Sequence, residues 1–384
     1  MTNATDDGII SRRSLIAVGI VAAGALHSRR LFGLSDRLQS PAPPPGDLVI
    51  RNARPLDAEA PLEALTSYQT SPEHFFVRSH FGPPMPLPLA WSLTVDGEVA
   101  HPVTLTLDQI RAMGGTPRVV TLECAGNGRG LFRLPMTSGV QWERGAVSTA
   151  TWTGVPLRAI LDRARPTDGA QHFWMGAMDR APLPTAPVFL RSIPRATALD
   201  DAFVAYEMNG KPIPALHGGP LRLIVPGWFG MASTKWLTSI HARRVESDNN
   251  FMAKGYRYAD QSPVTTIRVK SLITSVADGA RVSGSQIVVK GQAWSGAGSG
   301  GIRGVELSSD GGRTWRAARL VGPEAPGAWR SWEADVPIVA SGRQSLMSRA
   351  TDRQGAVQPV HAIANPGGYG NNSIHEVRFD AVRS

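Results

Sequence analysis

The chain has 384 residues, which at about 100–200 residues per domain predicts two or three domains. With 42% hydrophobic and 18% charged residues it can bury conventional cores, so wholesale disorder is excluded. The net charge is +9, yet no basic run reaches five residues, so the charge suits small anions rather than a nucleic-acid stripe. The single cysteine, Cys124, excludes an intramolecular disulfide, a Cys-rich zinc site, an iron–sulfur cluster and a Cys-x-x-Cys-His haem attachment.

Ser11-Arg12-Arg13-Ser14 precedes an apolar stretch to Leu26, with small residues at Ala23-Gly24-Ala25. That is the form of a twin-arginine export signal, predicted over 1–25, and the apolar run falls short of the ~20 residues of a membrane span. The expected location is the periplasm or cell envelope, reached by a route that carries folded proteins. Pro41-Ala-Pro-Pro-Pro45-Gly46 marks residues 26–60 as a Pro-rich linker, with the globular part beginning near Pro61.

From there strand-like and short helical runs alternate. Trp91–Glu98 alternates and ends in an Asp96-Gly97 turn, while Asp108–Met113 reads as a helix with an Asp start and a Gly114-Gly115 stop. Arg118–Cys124 reads as a buried strand broken by Gly126, Gly128 and Gly130. Leu157–Arg163 is an amphipathic helix and Leu221–Val225 a further strand. After about Gln261 the helical pattern disappears. Ile267–Ile273, Gln286–Gly291, Gly304–Ser309, Thr314–Leu320 and Gln344–Ala350 read as short strands, separated by turns such as Asp310-Gly311-Gly312 and Asp352–Gly355. This predicts a β-sandwich. Gly296–Gly301 lacks the Lys-Ser/Thr ending of a phosphate loop and reads as a sandwich loop.

Cys124 stands at a strand end before Ala-Gly-Asn-Gly-Arg129-Gly. Glycines there allow backbone N–H groups to approach a ligand, and an arginine stabilises a thiolate. Such a thiolate serves either as nucleophile or as soft-metal ligand.

Thr121-Leu-Glu-Cys124-Ala-Gly-Asn-Gly-Arg129 closely resembles the molybdenum-binding segment of the sulfite oxidase family. Phe75-Phe-Val-Arg78-Ser-His80, Gly145–Leu157, Ala205–Pro214, His217–Arg222, Gly227–Gly230 and Lys235-Trp-Leu237 agree with that family in order and spacing. The resemblance spans roughly 62–260, and Trp294-Ser-Gly, Leu307–Gly312 and Arg349–Asp352 resemble its dimerisation domain. It implies an α+β sulfite-oxidase-type molybdopterin-binding domain over 61–260. An all-β immunoglobulin-like sandwich over 261–384 follows, through which the chain forms a homodimer.

By the same resemblance, Cys124 ligates a molybdenum held by one pyranopterin, with one cofactor per chain; the sequence shows no haem motif, a departure from the family, so no haem is expected. Arg78 and Arg129 line an anion pocket, where guanidinium groups offer paired hydrogen bonds to sulfite or sulfate oxygens. Tyr256, 21 residues after Lys235, matches the family's active-site tyrosine and assists proton movement. Phe76, Val77, Arg78, Ser79, His80, Asp179, His217, Arg222, Ser233, Thr234 and Lys235 match positions that hold the pyranopterin and its phosphate. The implied reaction is oxidation of sulfite to sulfate by oxygen-atom transfer. Electrons would leave singly to an external carrier such as a c-type cytochrome. The alternatives are the molybdenum subunit of a sulfane dehydrogenase, an S- or N-oxide reductase of the same cofactor class, or a non-catalytic binding subunit.

Overall fold

The computed structural model describes residues 46–132, 137–181 and 183–383. The export signal and most of the proline-rich stretch lie outside the described residues. Part of the segment read as linker is nevertheless folded: Val49–Ala53 and Leu56–Glu59 pair as an antiparallel hairpin. Leu48, Leu56 and Ala58 pack with Val77, and Ala58 and Val77 exchange backbone hydrogen bonds of 2.9 and 2.8 Å. The hairpin also buries Asp57 and Glu59, each of which meets an arginine. Charged residues at buried positions hide such a strand from a hydropathy reading.

Residues up to about 250 build two five-stranded sheets. The first is antiparallel and runs Lys211–Pro212, Phe203–Met208, Val147–Pro156, Thr116–Glu123, with Arg222–Ile224 also paired to Phe203–Met208. The second runs Val103–Thr106, Ser92–Gly97, Leu237–Arg243, His172–Ala177, Leu190–Pro194. Its Ser92–Gly97 and Leu237–Arg243 strands are parallel, which requires a long crossover, and most of the first sheet supplies it.

The helices are few and short, so this region is β-rich. Helix α1 (Leu107–Ala112) starts one residue before the Asp108 expected to open it. Thr106 is its cap, accepting from the Gln109 N–H while the Gln109 side chain accepts from the Thr106 N–H. Helix α2 (Leu157–Ala164) places Leu157, Ile160 and Leu161 fully inside, each worth about 1.5–3 kcal/mol of transfer free energy. These residues join Leu93 and Val95 of one sheet and Val155, Val204 and Leu223 of the other in a shared core. Helices α3 (Arg195–Asp200) and α4 (Asn250–Ala253) are the other α-helices among the described residues.

Beyond residue 261 the described chain has strands only. A four-stranded sheet (Lys270–Ile273, Gln286–Trp294, Arg330–Pro337, Arg319–Val321) faces a five-stranded one (Arg281–Ser283, His375–Val382, Gly342–Asp352, Ile302–Ser308, Arg316–Ala317). Val289, Trp332 and Val336 of the first interleave with Val305, Leu346, Val377 and Phe379 of the second, forming a β-sandwich core. The Thr314–Leu320 strand is in fact split. Arg316–Ala317 pairs with Ile302–Ser308, then the chain changes sheets and Arg319–Val321 pairs with Arg330–Pro337. The Asp310 carboxylate organises the turn before it, accepting from the N–H groups of Arg313 and Thr314 at 3.0 and 2.9 Å. Arg330–Pro337 and His375–Val382 are two further strands that the sequence reading omits; His375–Val382 alternates strictly, with Val377, Phe379 and Ala381 inside and Glu376, Arg378 and Asp380 on the other face.

Candidate active site

Strand Thr116–Glu123 carries the chain to Cys124, whose N–H donates to the Ala146 carbonyl at 2.9 Å. The backbone then curls: Asn127 N–H donates to the Cys124 carbonyl at 2.9 Å and Arg129 N–H to that of Gly126 at 2.8 Å. Gly128 sits at φ +85 with the Asn371 side chain 2.9 Å from where a Cβ would stand, so no larger residue fits. Cys124 is buried. Burial pushes its thiol pKa up, and the charges of Arg78 and Arg129 pull it back toward the thiolate.

The thiol opens onto a cavity. Phe76, Arg78, Ser79, His80, Asp179, His217, Arg222, Ser233, Thr234, Lys235 and Tyr256 all line it with Cys124. Two of the expected residues are placed elsewhere. Val77 turns to the hairpin and packs on Leu56 and Ala58. Arg129 is not among the lining residues: its Nε donates to the Gly367 carbonyl at 3.1 Å, its Nη1 to that of Val140 at 3.1 Å, and it lies over the Tyr369 ring.

At the thiol end the polar groups form one chain. Arg78 Nη1 donates to both Asp57 oxygens at 3.0 and 3.1 Å, and Nη2 donates to His80 Nδ1 at 3.1 Å. A guanidinium only donates, so Nδ1 is an acceptor and the His80 proton resides on Nε2. That proton is donated to the Tyr256 hydroxyl at 2.9 Å. The Tyr256 O–H is thereby left to donate into the cavity. Burial, with the charges of Arg78 and Arg191, lowers the His80 pKa to about 3 and keeps the ring neutral. Burial likewise raises the Tyr256 pKa to about 12, so the phenol stays protonated. Burial opposes the Arg78 charge, but Tyr256, Asp57 and Cys124 outweigh it and hold the guanidinium above its ordinary pKa.

Tyr256 stands at φ +55, a conformation an aromatic residue adopts only when its surroundings impose it. Here the Tyr369 ring stacks on it at 5.2 Å, and the buried Arg191 guanidinium lies 5.2 Å from its centroid. Asp57, Arg191 and Tyr369 went unnoticed in the sequence. They lie in a stretch read as linker, on an edge strand and near the C-terminus, with no local motif to connect them.

Two further cations of the cavity lining have backbone carbonyls rather than carboxylates as hydrogen-bond partners. Lys235 Nζ donates to the Leu216 carbonyl at 2.6 Å, and Arg222 donates to the carbonyls of His217 and Ser233 at 2.6 and 3.0 Å. Burial lowers the Arg222 pKa to about 9; burial and Arg222 lower that of Lys235 to about 7. His217, with a pKa lowered to about 3 by burial and by Lys235, donates its Nε2–H to the Pro72 carbonyl at 2.8 Å, so its neutral ring leaves Nδ1 an acceptor. Burial raises the Asp179 pKa to about 6. His217 Nδ1, Arg222 Nε and Thr234 Oγ1 are buried with no hydrogen-bond partner. His217 Nδ1 is an acceptor, whereas the unpaired Arg222 Nε–H and Thr234 O–H are donors, and beside cations with no carboxylate hydrogen-bond partner they call for a polar anionic ligand. A pyranopterin phosphate supplies such a group, so the residues fit a molybdopterin, with the Cys124 thiol in the same cavity available to a soft metal.

Comparison with known proteins agrees with this geometry. Residues 80–251 match the oxidoreductase molybdopterin binding domain and residues 261–381 the Mo-co oxidoreductase dimerisation domain, which makes the chain a molybdopterin-dependent oxidoreductase. The sulfite oxidase of Gallus gallus is 36% identical over 337 residues, covering 81% of this chain and 73% of that one. That of Arabidopsis thaliana is 31% identical over 388 residues, covering 90% and 96%. Among solved structures, the sulfane dehydrogenase SoxCD of Paracoccus pantotrophus superposes with a TM-score of 0.71 at 28% identity, covering 84% of this chain and 83% of that one. The chain belongs to the sulfite oxidase family.

Proposed function

We propose that the chain oxidises sulfite to sulfate, with a molybdenum bound by the Cys124 thiolate and by one pyranopterin per chain. One observation carries this reading: Cys124, Arg78 and Tyr256 line the same cavity as Arg222 and Lys235, whose hydrogen bonds go to backbone carbonyls rather than to carboxylates. The bound metal supplies oxygen-atom transfer and stores two electrons. His217, Arg222, Ser233, Thr234 and Lys235 would hold the pyranopterin phosphate, with Phe76, Ser79 and Asp179 against the rest of the cofactor. Arg78, fixed by Asp57, presents its positive charge to the substrate anion and gives up the product through the same contact. Tyr256, its oxygen occupied by the His80 proton, donates its own O–H toward the reacting oxygen and relays a proton when water enters. Arg129 acts from behind the loop, favouring the thiolate form of Cys124.

Electrons pass singly to an external carrier such as a c-type cytochrome. The sandwich over 261–384 is proposed to be immunoglobulin-like and to mediate a homodimer, as the dimerisation-domain match supports. Export by the twin-arginine route to the periplasm or cell envelope remains part of the proposal, and the Ser11-Arg12-Arg13 motif is its support. The similarity to SoxCD favours a second reading, oxidation of a sulfane sulfur in the same cavity.

The experiment is metal and pterin analysis of the purified full chain and of Cys124→Ser. The wild-type protein is expected to carry about one molybdenum and one pterin, and the variant to keep the pterin while losing turnover. Undiminished turnover in Cys124→Ser overturns the assignment.

A further inference from the structure

Glu123, the residue next to Cys124, has a fully buried carboxylate. Its Oε1 accepts from Asn127 Nδ2 at 2.9 Å and from Lys270 Nζ at 2.5 Å, and its Oε2 accepts from the Trp294 indole N–H at 2.9 Å. Lys270 and Trp294 are both buried, and both belong to the four-stranded sheet of the C-terminal sandwich. The ammonium also lies 5.9 Å from the Trp294 ring centroid. An ion pair removed from water persists only when its geometry is good and its remaining valences are filled, and here each carboxylate oxygen is filled from across the domain boundary. Consecutive Cα atoms are held about 3.8 Å apart, so a displacement of Glu123 is passed directly to Cys124.

The same loop is braced again further along. Gly370 N–H donates to the Ala125 carbonyl at 2.8 Å, and Asn371 Nδ2 donates to the Gly128 carbonyl at 2.8 Å. The cysteine loop is therefore braced from both sides of residue 261: the preceding region contributes the Glu123–Val147 strand pairing, the Ala146 contacts to Cys124 and Asn127, and the Trp142 and Val140 carbonyls that accept from Gly130 N–H and Arg129 Nη1.

We propose that Lys270 and Trp294 are positioning residues for Cys124, acting through Glu123, so that the C-terminal sandwich is a structural part of the catalytic site as well as a dimerisation module. The proposal rests on Cys124 being the metal ligand, and its test has one arm that does not. Cys124 is the only cysteine in the chain, so the reaction rate of the cofactor-free full chain with a thiol reagent reports on this loop alone.

Lys270→Met leaves a lone buried carboxylate and is expected to lower the melting temperature and to speed thiol reaction by about tenfold or more, as the loop loosens. The double variant Glu123→Gln/Lys270→Met removes both charges at similar volume. Its melting temperature is expected to return close to wild type. Its thiol reaction should stay fast. In molybdenum-loaded protein, the paramagnetic resonance spectrum of the half-reduced metal should stay shifted, and kcat should stay about ten- to a hundredfold low with KM little changed. Recovery of melting temperature, thiol rate and spectrum together in the double variant overturns the proposal, since that is what a merely structural ion pair gives. Trp294→Phe deletes one donor and keeps an aromatic ring. It is expected to move thiol rate and spectrum in the same direction by a smaller factor, and wild-type values for both overturn the proposal even if the charge variants do not fold. A wild-type chain that takes up no molybdenum fails the functional reading alone, because the thiol arm is read without cofactor.

Discussion

The hydroxyl of Tyr256 lies 2.9 Å from Nε2 of His80, whose other ring nitrogen receives the Arg78 guanidinium at 3.1 Å. These two contacts fix the histidine tautomer and the direction of every proton along the line. They also connect residues 176 positions apart in the chain, through a ring stacked on Phe189 at 4.9 Å.

If His80 and Tyr256 act as one unit, their losses do not add. His80→Phe keeps the aromatic packing against Phe189 and Phe251 and Tyr256→Phe keeps the stack on Tyr369, so each removes hydrogen bonds with little change of shape. Each is expected to cost about 10²-fold in kcat, within the range of a positioned proton donor. The double variant is expected to fall no further than the worse single one. Independent multiplication of the two losses in a kinetic cycle would break the link.

Arg78 and Arg129 make separable predictions. Arg78 faces the cavity and Arg129 donates to the carbonyls of Gly367 and Val140. Arg78→Gln is expected to raise KM for sulfite by about tenfold or more, the loss of one charge-assisted hydrogen bond. Arg129→Gln is expected to shift KM by less, and to cost about 1–3 kcal/mol of stability through the orphaned carbonyls, measured by denaturant unfolding. An equal rise in KM for both would place Arg129 at the substrate.

Lys235 gives the cofactor-free chain a pH dependence. Its pKa falls from an ordinary 10.5 to about 7 in the folded protein, because burial and Arg222 disfavour its charge. Between those values the unfolded chain binds more protons than the folded one, so stability rises with pH. The melting temperature of the cofactor-free protein is expected to climb from pH 7 to about pH 8.5, below the range where Cys124 and Tyr256 begin to oppose it. Lys235→Met flattens that climb. A bound phosphate restores the Lys235 charge, so loading with cofactor is expected to flatten it too.

The site was legible where neighbouring residues in sequence carry one function. Phe75–His80, Thr121–Arg129 and His217–Arg222 each present a compact motif, and nearly all of their functional residues reach one cavity. What the sequence concealed depends on long-range placement. Asp57 sits on a strand where two acidic residues share the buried positions with Leu56 and Ala58, and Tyr369 and Asn371 reach the cysteine loop from near the C-terminus. Arg129 was read as pocket-lining because it stands in the right motif; backbone carbonyls contributed by Val140 and Gly367 turn its guanidinium away. In the sandwich, the clear turn at Asp310 was readable, whereas the change of sheet between Ala317 and Arg319 depends on which partner strand each pair of residues meets.

The most direct test of the functional account is sulfite-dependent reduction of ferricyanide by full chain shown to be loaded with molybdenum, run beside a sulfane donor. The account predicts saturable turnover with sulfite, at a kcat of roughly 1–10³ s⁻¹, that is absent in Cys124→Ser. Fully loaded protein that leaves ferricyanide oxidised with sulfite and reduces it with the sulfane donor would contradict it.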